Sequence, residues 1–238
     1  MRIGMSIHHP VVTGIKIVIL LAMLAVILYQ PVISLIRQRY IDGYIEQFEY
    51  SLACGGNSSS DNFIVPDSPV FAIEGEYGQS GEGEYYEDPS SVGSGYDDKR
   101  KGLKLLGVLK IPSIDTEVPV WEGVSVKALR FGVGRYPLSS DLGSDSGNCF
   151  IMGHRNRHLS TIFCRLQYVN VGDQVEVTTR DGGTVEYKVA KTAAVPPDKV
   201  EEYITGSGDG QPKLTLCTCL TERGRGWRFI AVCTKSEF

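Results

Sequence analysis

The sequence predicts a mainly β domain, a sandwich or small closed barrel with a few short helices, standing behind one N-terminal helix able to cross a membrane. Three observations predict it. Apolar and polar residues alternate at period two through much of the region after Leu103. An uncharged apolar run occupies residues 17–36. Between the two lies a stretch dominated by Gly, Ser, Glu and Asp.

Charge divides the chain the same way. The net charge of −4 over 238 residues is a sum of unlike parts. Residues 1–39 carry Arg2, Lys16, Arg37 and Arg39 and no acid. Residues 40–98 hold 13 acidic groups and no Lys or Arg, and residues 99–238 hold 20 basic and 15 acidic groups. The expected organisation is therefore an N-terminal tip and anchor over 1–39, a linker over 40–98, and a folded domain over 99–238.

Ile17 to Ile36 is 20 residues long and contains Gln30, Pro31 and Ser34 but no charge, which matches the length that spans a bilayer core. Its most apolar part, Ile17 to Tyr29, is short enough to fit a cleaved signal peptide instead. However, Arg37-Gln38-Arg39 follows the run where a small-residue cleavage site would stand, so an uncleaved anchor is favoured. Charges flank both ends, so the positive-inside rule does not set the orientation. Leu52-Ala53-Cys54-Gly55 looks like a lipoprotein processing box, but it lies behind Asp42, Glu46 and Glu49 and is read as chance.

In residues 51–98, Gly55-Gly56-Asn57-Ser58-Ser59-Ser60 and Gly81-Glu82-Gly83-Glu84 are too poor in apolar side chains to offset chain entropy. Self-repelling charge would keep this tether extended. The alternative is a lid, with Tyr85, Tyr86 and Asp88-Pro89 folded back over a site.

Beyond Leu103, Val175, Val177 and Thr179 alternate with polar residues, as do Val185, Tyr187 and Val189. Asp181-Gly182-Gly183 between them is a hairpin signal. Leu105–Ile111, Val118–Trp121, Cys149–Met152, Leu214–Cys219 and Trp227–Cys233 add five short apolar runs. Short helices are expected around Val126–Phe131, Ser160–Leu166 and Asp198–Ile204.

Thr215-Leu216-Cys217-Thr218-Cys219 places a thiol at the end of one run, and Arg228 opens the next. Gly153-His154-Arg155 supplies a base. A covalent route through a thioester divides one hard acyl-transfer step into two, and a neighbouring cation favours the thiolate. Cys219 is the expected nucleophile and His154 the proton carrier. Arg228 is the cation for the oxyanion or the substrate backbone. Cys217 points to the same face two residues earlier and is read as packing. A bridge between the two would need distortion, since their Cα atoms stand roughly 6.5 Å apart with parallel side chains. His158 is read as a solvated loop side chain, and Arg223 and Arg225 as surface charges. His154 and His158 lack companion ligands at zinc spacing, so no metal is expected.

On these residues the region 103–234 resembles a sortase, a membrane-anchored cysteine transpeptidase of Gram-positive cell surfaces. Leu109-Lys110-Ile111-Pro112-Ser113-Ile114 resembles the family's opening strand. Pro119-Val120, Gly123, Gly132-Val133-Gly134 and Gly147-Asn148 follow in the family's order. Gly153-His154-Arg155 resembles its histidine motif, with Phe163, Leu166 and Gly172-Asp173 after it. Thr215 to Cys219 fits its T-L-x-T-C box, and Arg228 sits where the last strand begins. Arg135 stands where the family often has His, and Cys217 gives the box a second thiol. The short Asp198–Gly210 connection lacks the long helical insertion of class B. A class D- or E-like member is favoured.

The resemblance implies a closed eight-stranded barrel preceded by a transmembrane helix. It also implies a single-pass protein of the cell membrane, with the catalytic domain on the extracellular side. The implied reaction cleaves a C-terminal sorting motif like Leu-Pro-x-Thr-Gly between Thr and Gly through a thioester on Cys219. An amine of a cell-wall precursor or a pilin lysine then takes the acyl group. Donors would be surface proteins or pilins bearing such motifs. Thr218, beside the thiol, is a candidate substrate contact. No cofactor and no nucleic acid is expected, and calcium dependence stays open. The alternatives are another Cys/His peptidoglycan transpeptidase or cysteine peptidase, and a non-catalytic membrane-tethered binding module.

Overall fold

The computed structural model describes residues 10–53, 62–63, 102–155, 162–205, 210–224 and 226–236. Helix α1 runs from Pro10–Ala53. A two-residue strand β1 (Asn62–Phe63) and strands β2 (Leu103–Ile111) and β3 (Thr116–Glu122) come next, with helix α2 (Val126–Phe131) after them. Then come β4 (Val133–Arg135), β5 (Asn148–Gly153), β6 (Gln174–Thr179), β7 (Thr184–Val195), helix α3 (Glu201–Thr205), β8 (Lys213–Cys219) and β9 (Arg228–Lys235).

The strands follow the order β2-β3-β4-β5-β8-β9-β7-β6, and β2 pairs with β6 to close the ring into an eight-stranded barrel. Closure removes the unpaired edges that an open sheet would expose. β1 adds to the free end of β2. The pairs β3–β4 and β5–β8 are parallel, and the other pairs in the ring are antiparallel. The expected hairpin at Asp181-Gly182-Gly183 joins β6 to β7, with Val175 opposite Tyr187 and Val177 opposite Val185. Period-two alternation sends Leu214 and Leu216 of β8 and Ala231 and Cys233 of β9 into the main core with Leu109, Ile111, Val175 and Val177.

The other face of β5, β8 and β9 is also covered. Phe150, Cys217 and Ile230 pack there with Tyr136, Val195, Val200 and Ile204, beneath the β7–β8 connection that holds α3. Asn148 fastens this cover. Its Nδ2 donates to the carbonyls of Tyr203 (2.7 Å) and Ile204 (3.1 Å), which lie at the end of α3, and its Oδ1 accepts from Thr215 Oγ1 (2.7 Å). Late helix carbonyls lack partners within their own helix, and Asn148 satisfies two of them.

Two expectations are corrected. The helix expected around Ser160–Leu166 is not found in its described part; residues 162–165 form turns, followed by a single 3-10 turn at Leu166–Tyr168. Ile162, Phe163 and Leu166 are all buried, and the turns let these three side chains enter the barrel mouth within five residues. The linker, expected from residue 40, does not begin there, because α1 continues to Ala53. Ile33, Arg37, Ile41, Tyr44 and Phe48 recur every three or four residues and are buried, while Asp42, Glu46 and Glu49 occupy the exposed face. Averaging the composition of this segment hides an amphipathic helix.

Tyr44 stands edge-on to Trp121 (5.3 Å between ring centroids), Phe63 (6.0 Å) and Phe131 (6.3 Å), and Tyr40 meets Phe131 at 5.9 Å. Edge-to-face pairs of this kind contribute on the order of 1 kcal/mol each beyond burial. Upstream, Ile17 to Leu28 expose apolar side chains along a helix long and apolar enough to cross a membrane. The rest of the tether, with the Tyr85–Pro89 segment weighed as a lid, lies outside the described residues apart from Asn62–Phe63, as do His158 and Arg225.

Candidate active site

The residues singled out in the sequence meet at one end of the barrel, on the outer face of three adjacent strands. Cys219 ends β8 and Arg228 begins β9, and the two are direct cross-strand partners. Opposed residues on an antiparallel pair carry their Cβ atoms about 5 Å apart on the same face. Gly153 ends β5 opposite Thr218, so His154 leaves its strand one step further on, level with Cys219. Neighbouring strands lie about 4.8 Å apart, so all three side chains start within two strand spacings of each other.

His154 is buried, and Cys219 and Arg228 are half-buried. The Arg228 guanidinium is held by its own loop, with Nη1 donating to the carbonyls of Gly226 (3.0 Å) and Trp227 (3.2 Å). Its charge acts on Cys217 and favours the thiolate there. Even so, burial pushes the Cys217 thiol up to about 12 and outweighs that pull. Cys217 is therefore protonated at neutral pH and packs with Phe150 and Ile230, as the strand phase predicted.

Thr218 is placed otherwise than expected. Its side chain lies on the opposite face of β8 from Cys219, fully enclosed, and Oγ1 donates to the Gly153 carbonyl (2.9 Å). It joins β8 to β5 next to His154, on the side of the sheet away from Cys219. Gly153 matters for the same region: a Cβ there would stand 2.2 Å from Cδ2 of Phe163, whose backbone N–H donates to the His154 carbonyl (3.4 Å). The histidine is thus seated over a phenylalanine that only glycine admits.

Arg155, the last residue of the Gly153-His154-Arg155 motif, has a task that its place in the sequence does not disclose. Its guanidinium is buried and grips Glu222 at two points, Nη1 to Oε2 (2.5 Å) and Nη2 to Oε1 (2.6 Å), while Nη1 also reaches the Cys219 carbonyl (3.4 Å). One side chain ties the residue after His154 to the loop after Cys219. The sequence signal for this pair was faint: a Glu three residues past the thiol, with no periodic pattern to mark it. Arg135, at the position where a His was expected by resemblance, serves the far end of the barrel. It binds Glu122 (2.6 Å) and the Ser139 carbonyl (2.9 Å) and so pins the β4–β5 loop. Arg223, read as a surface charge, is exposed above the Trp227 ring.

Comparison with known proteins agrees with this architecture. The sortase domain family matches residues 109–236, more than half of the chain. Sortase D of Bacillus subtilis (strain 168) is 33% identical over 113 residues, covering 48% of this chain and 53% of that one. Sortase SrtE1 of Streptomyces coelicolor is 32% identical over 139 residues (52% of this chain, 38% of that one). Sortase A of Bacillus anthracis is 25% identical over 127 residues (53% and 58%). The higher identities to the D and E1 relatives agree with a D- or E-like member. The chain spans about half the length of the curated relatives it matches. Among solved structures, sortase A from Corynebacterium diphtheriae superposes with a TM-score of 0.52 at 23% identity, covering 59% of this chain and 64% of that one. Sortase C-1 from Actinomyces oris gives 0.51 at 25% identity (56% and 74%). The barrel is theirs in fold, the family match extends through both motif strands, and this chain belongs to the sortase family.

Proposed function

We propose that the chain is a membrane-anchored cysteine transpeptidase with Cys219 as nucleophile, His154 as proton carrier and Arg228 as oxyanion or backbone clamp. The observation that carries this reading is the register: Cys219 faces Arg228 across β8–β9, and β5 delivers His154 beside them.

The Cys219 thiolate attacks the carbonyl carbon of the scissile amide, and the electron pair moves to oxygen. Arg228, oriented by the Gly226 and Trp227 carbonyls, faces that charge. When the intermediate collapses the C–N bond breaks, and His154 gives its proton to the departing amine. The acyl group is now a thioester. An incoming amine attacks it, loses its proton to His154, and expels the Cys219 thiolate as the C–S bond breaks. Donors are surface proteins or pilins with a sorting motif like Leu-Pro-x-Thr-Gly, and the acceptor amine belongs to a cell-wall precursor or a pilin lysine.

The test uses the full chain in nanodiscs with a sorting peptide and a small amine, and reads product and adduct masses. The expected result is amine-dependent transfer together with an acyl adduct on Cys219. Transfer that persists in Cys219→Ala, or no adduct with any sorting peptide, overturns the proposal.

A further inference from the structure

We propose that the barrel is held with its Cys219–Arg228 end against the bilayer surface, so that the site works in or just above the lipid headgroup layer. The two ends of the barrel can be told apart by strand direction. β8 runs towards Cys219, β9 runs away from Arg228, and β7 arrives at Val195 opposite Arg228. The start of β7, with the Asp181-Gly182-Gly183 turn, therefore lies at the other end. So does Lys235 at the end of β9, which pairs with Asp145 of the β4–β5 loop (2.5 Å).

Helix α1 is docked along the barrel between these ends. Its buried Arg37 lies within electrostatic reach of Arg130 in α2 and of Cys164, next to the Phe163 that underlies Gly153 and His154. Four turns later, Leu52 Cδ2 stands 3.9 Å from where a Cβ of Gly182 would be, at the hairpin turn. Read from N to C, the docked half of α1 thus descends from the site end to the far end. The same unbroken helix, continued back through residues 36 to 17, leaves past the site end, and that part carries the exposed apolar surface.

The lipid surface is the occupant because α1 itself enters it. Tyr168 and Val171, 65% and 66% exposed, lie between Phe163 and the start of β6 at this same end. Asp173 there accepts from Ser113 Oγ in the β2–β3 turn (2.7 Å), joining the rim. Tyrosine is enriched at membrane interfaces, where a ring with one polar tip fits.

The orientation stands apart from the activity proposed above; only its catalytic consequence rests on that reading. The experiment reconstitutes the full chain in vesicles containing headgroup-quencher lipid, with Cys54, Cys164 and Cys219 changed to Ser. Single labels are introduced by Tyr168→Cys, Val171→Cys and Ser146→Cys, and circular dichroism checks that each variant is folded. The expected result is at least threefold stronger quenching at positions 168 and 171 than at 146. Equal quenching, or stronger quenching at 146, overturns the proposal. A second arm gives the unlabelled wild type a sorting peptide either free or lipid-anchored to the same vesicle. Faster turnover of the anchored form by tenfold or more is expected, and this ratio should collapse when the anchored peptide sits on separate vesicles from the enzyme. A ratio near one on shared vesicles refutes the catalytic consequence. Quenching as expected with no turnover of either peptide leaves the orientation standing and removes the transpeptidase reading.

Discussion

Arg155 and Glu222 form a two-point ion pair across the loops that follow β5 and β8, with the guanidinium enclosed and the carboxylate side chain 40% exposed. Breaking it from the Glu side leaves a buried cation without its counter-charge. Glu222→Ala should lower stability by about 1–3 kcal/mol and kcat/KM by tenfold or more, whereas Glu222→Asp should recover part of the rate. Thermal unfolding and steady-state kinetics on the same preparations check this. A lowered Tm with unchanged kcat/KM would show the pair to be structural only.

The two thiols of the T-L-C-T-C box should separate chemically. Cys219→Ala should abolish acyl transfer, while Cys217→Ala should keep most of it and cost on the order of 1 kcal/mol in packing. Iodoacetamide at pH 7.5 followed by peptide mapping should modify Cys219 and leave Cys149, Cys217 and Cys233 untouched in the folded protein, because burial holds these three thiols protonated.

Alkaline pH should destabilise the fold. Cys149, Cys217 and Cys233 are each pushed up to about 12 from an ordinary value of 9.0. Between those values the folded chain keeps protons that the unfolded chain releases, so stability is full below pH 9 and falls as pH rises towards 12. Each thiol contributes about 1.4 kcal/mol per pH unit in that window. Tm measured from pH 7 to 11 should fall above pH 9, less steeply in Cys217→Ala. A flat profile would contradict the burial of these groups.

Asn148→Ala removes the link between the sheet and the end of α3, exposing the Tyr203 and Ile204 carbonyls and the Thr215 hydroxyl. The β7–β8 connection should loosen over the outer face of β5, β8 and β9. KM for a sorting peptide should rise by about three- to tenfold with a smaller change in kcat, and amide exchange should quicken in residues 199–205. Unchanged exchange there would show that the connection is held by apolar packing alone.

A fragment beginning near residue 99 should be much less stable than one beginning near residue 38. The shorter one lacks Ile41, Tyr44 and Phe48 and bares Leu105, Val108, Trp121 and Phe131. Replacing Tyr44 by Ala in the longer fragment should cost about 3 kcal/mol. Denaturant unfolding of the three proteins measures this, and equal midpoints would mean that α1 is not part of the folded unit.

The barrel was legible because period two is a strong signal over β6 and β7 and short apolar runs mark β2, β3, β5, β8 and β9, while the Cys219–Arg228 partnership comes from the register of β8 and β9 across residues 220–227. β4 was missed as a strand because Val133-Gly134-Arg135 is three residues long and has no alternation to read. The extent of α1 was missed because Asp42, Glu46 and Glu49 dominate its composition while Ile41, Tyr44 and Phe48 carry its packing. Thr218 was read from its neighbour in sequence rather than from the pleat, which turns it to the inner face. The Arg155–Glu222 pair joins residues 67 positions apart, and nothing local encodes such a contact.

The docked half of α1 ties the order of biosynthesis to the order of folding. The apolar surface around Trp121 and Phe131 finds its cover in a helix that is continuous with a segment long and apolar enough to cross a membrane. On the anchoring proposed above, that cover is synthesised before any barrel strand and stands just outside the bilayer, so the barrel should assemble onto a template already in place. A strand-rich domain dominated by distant contacts folds slowly and exposes sticky surface while doing so. Here the anchor would serve as an intramolecular chaperone for the domain it carries.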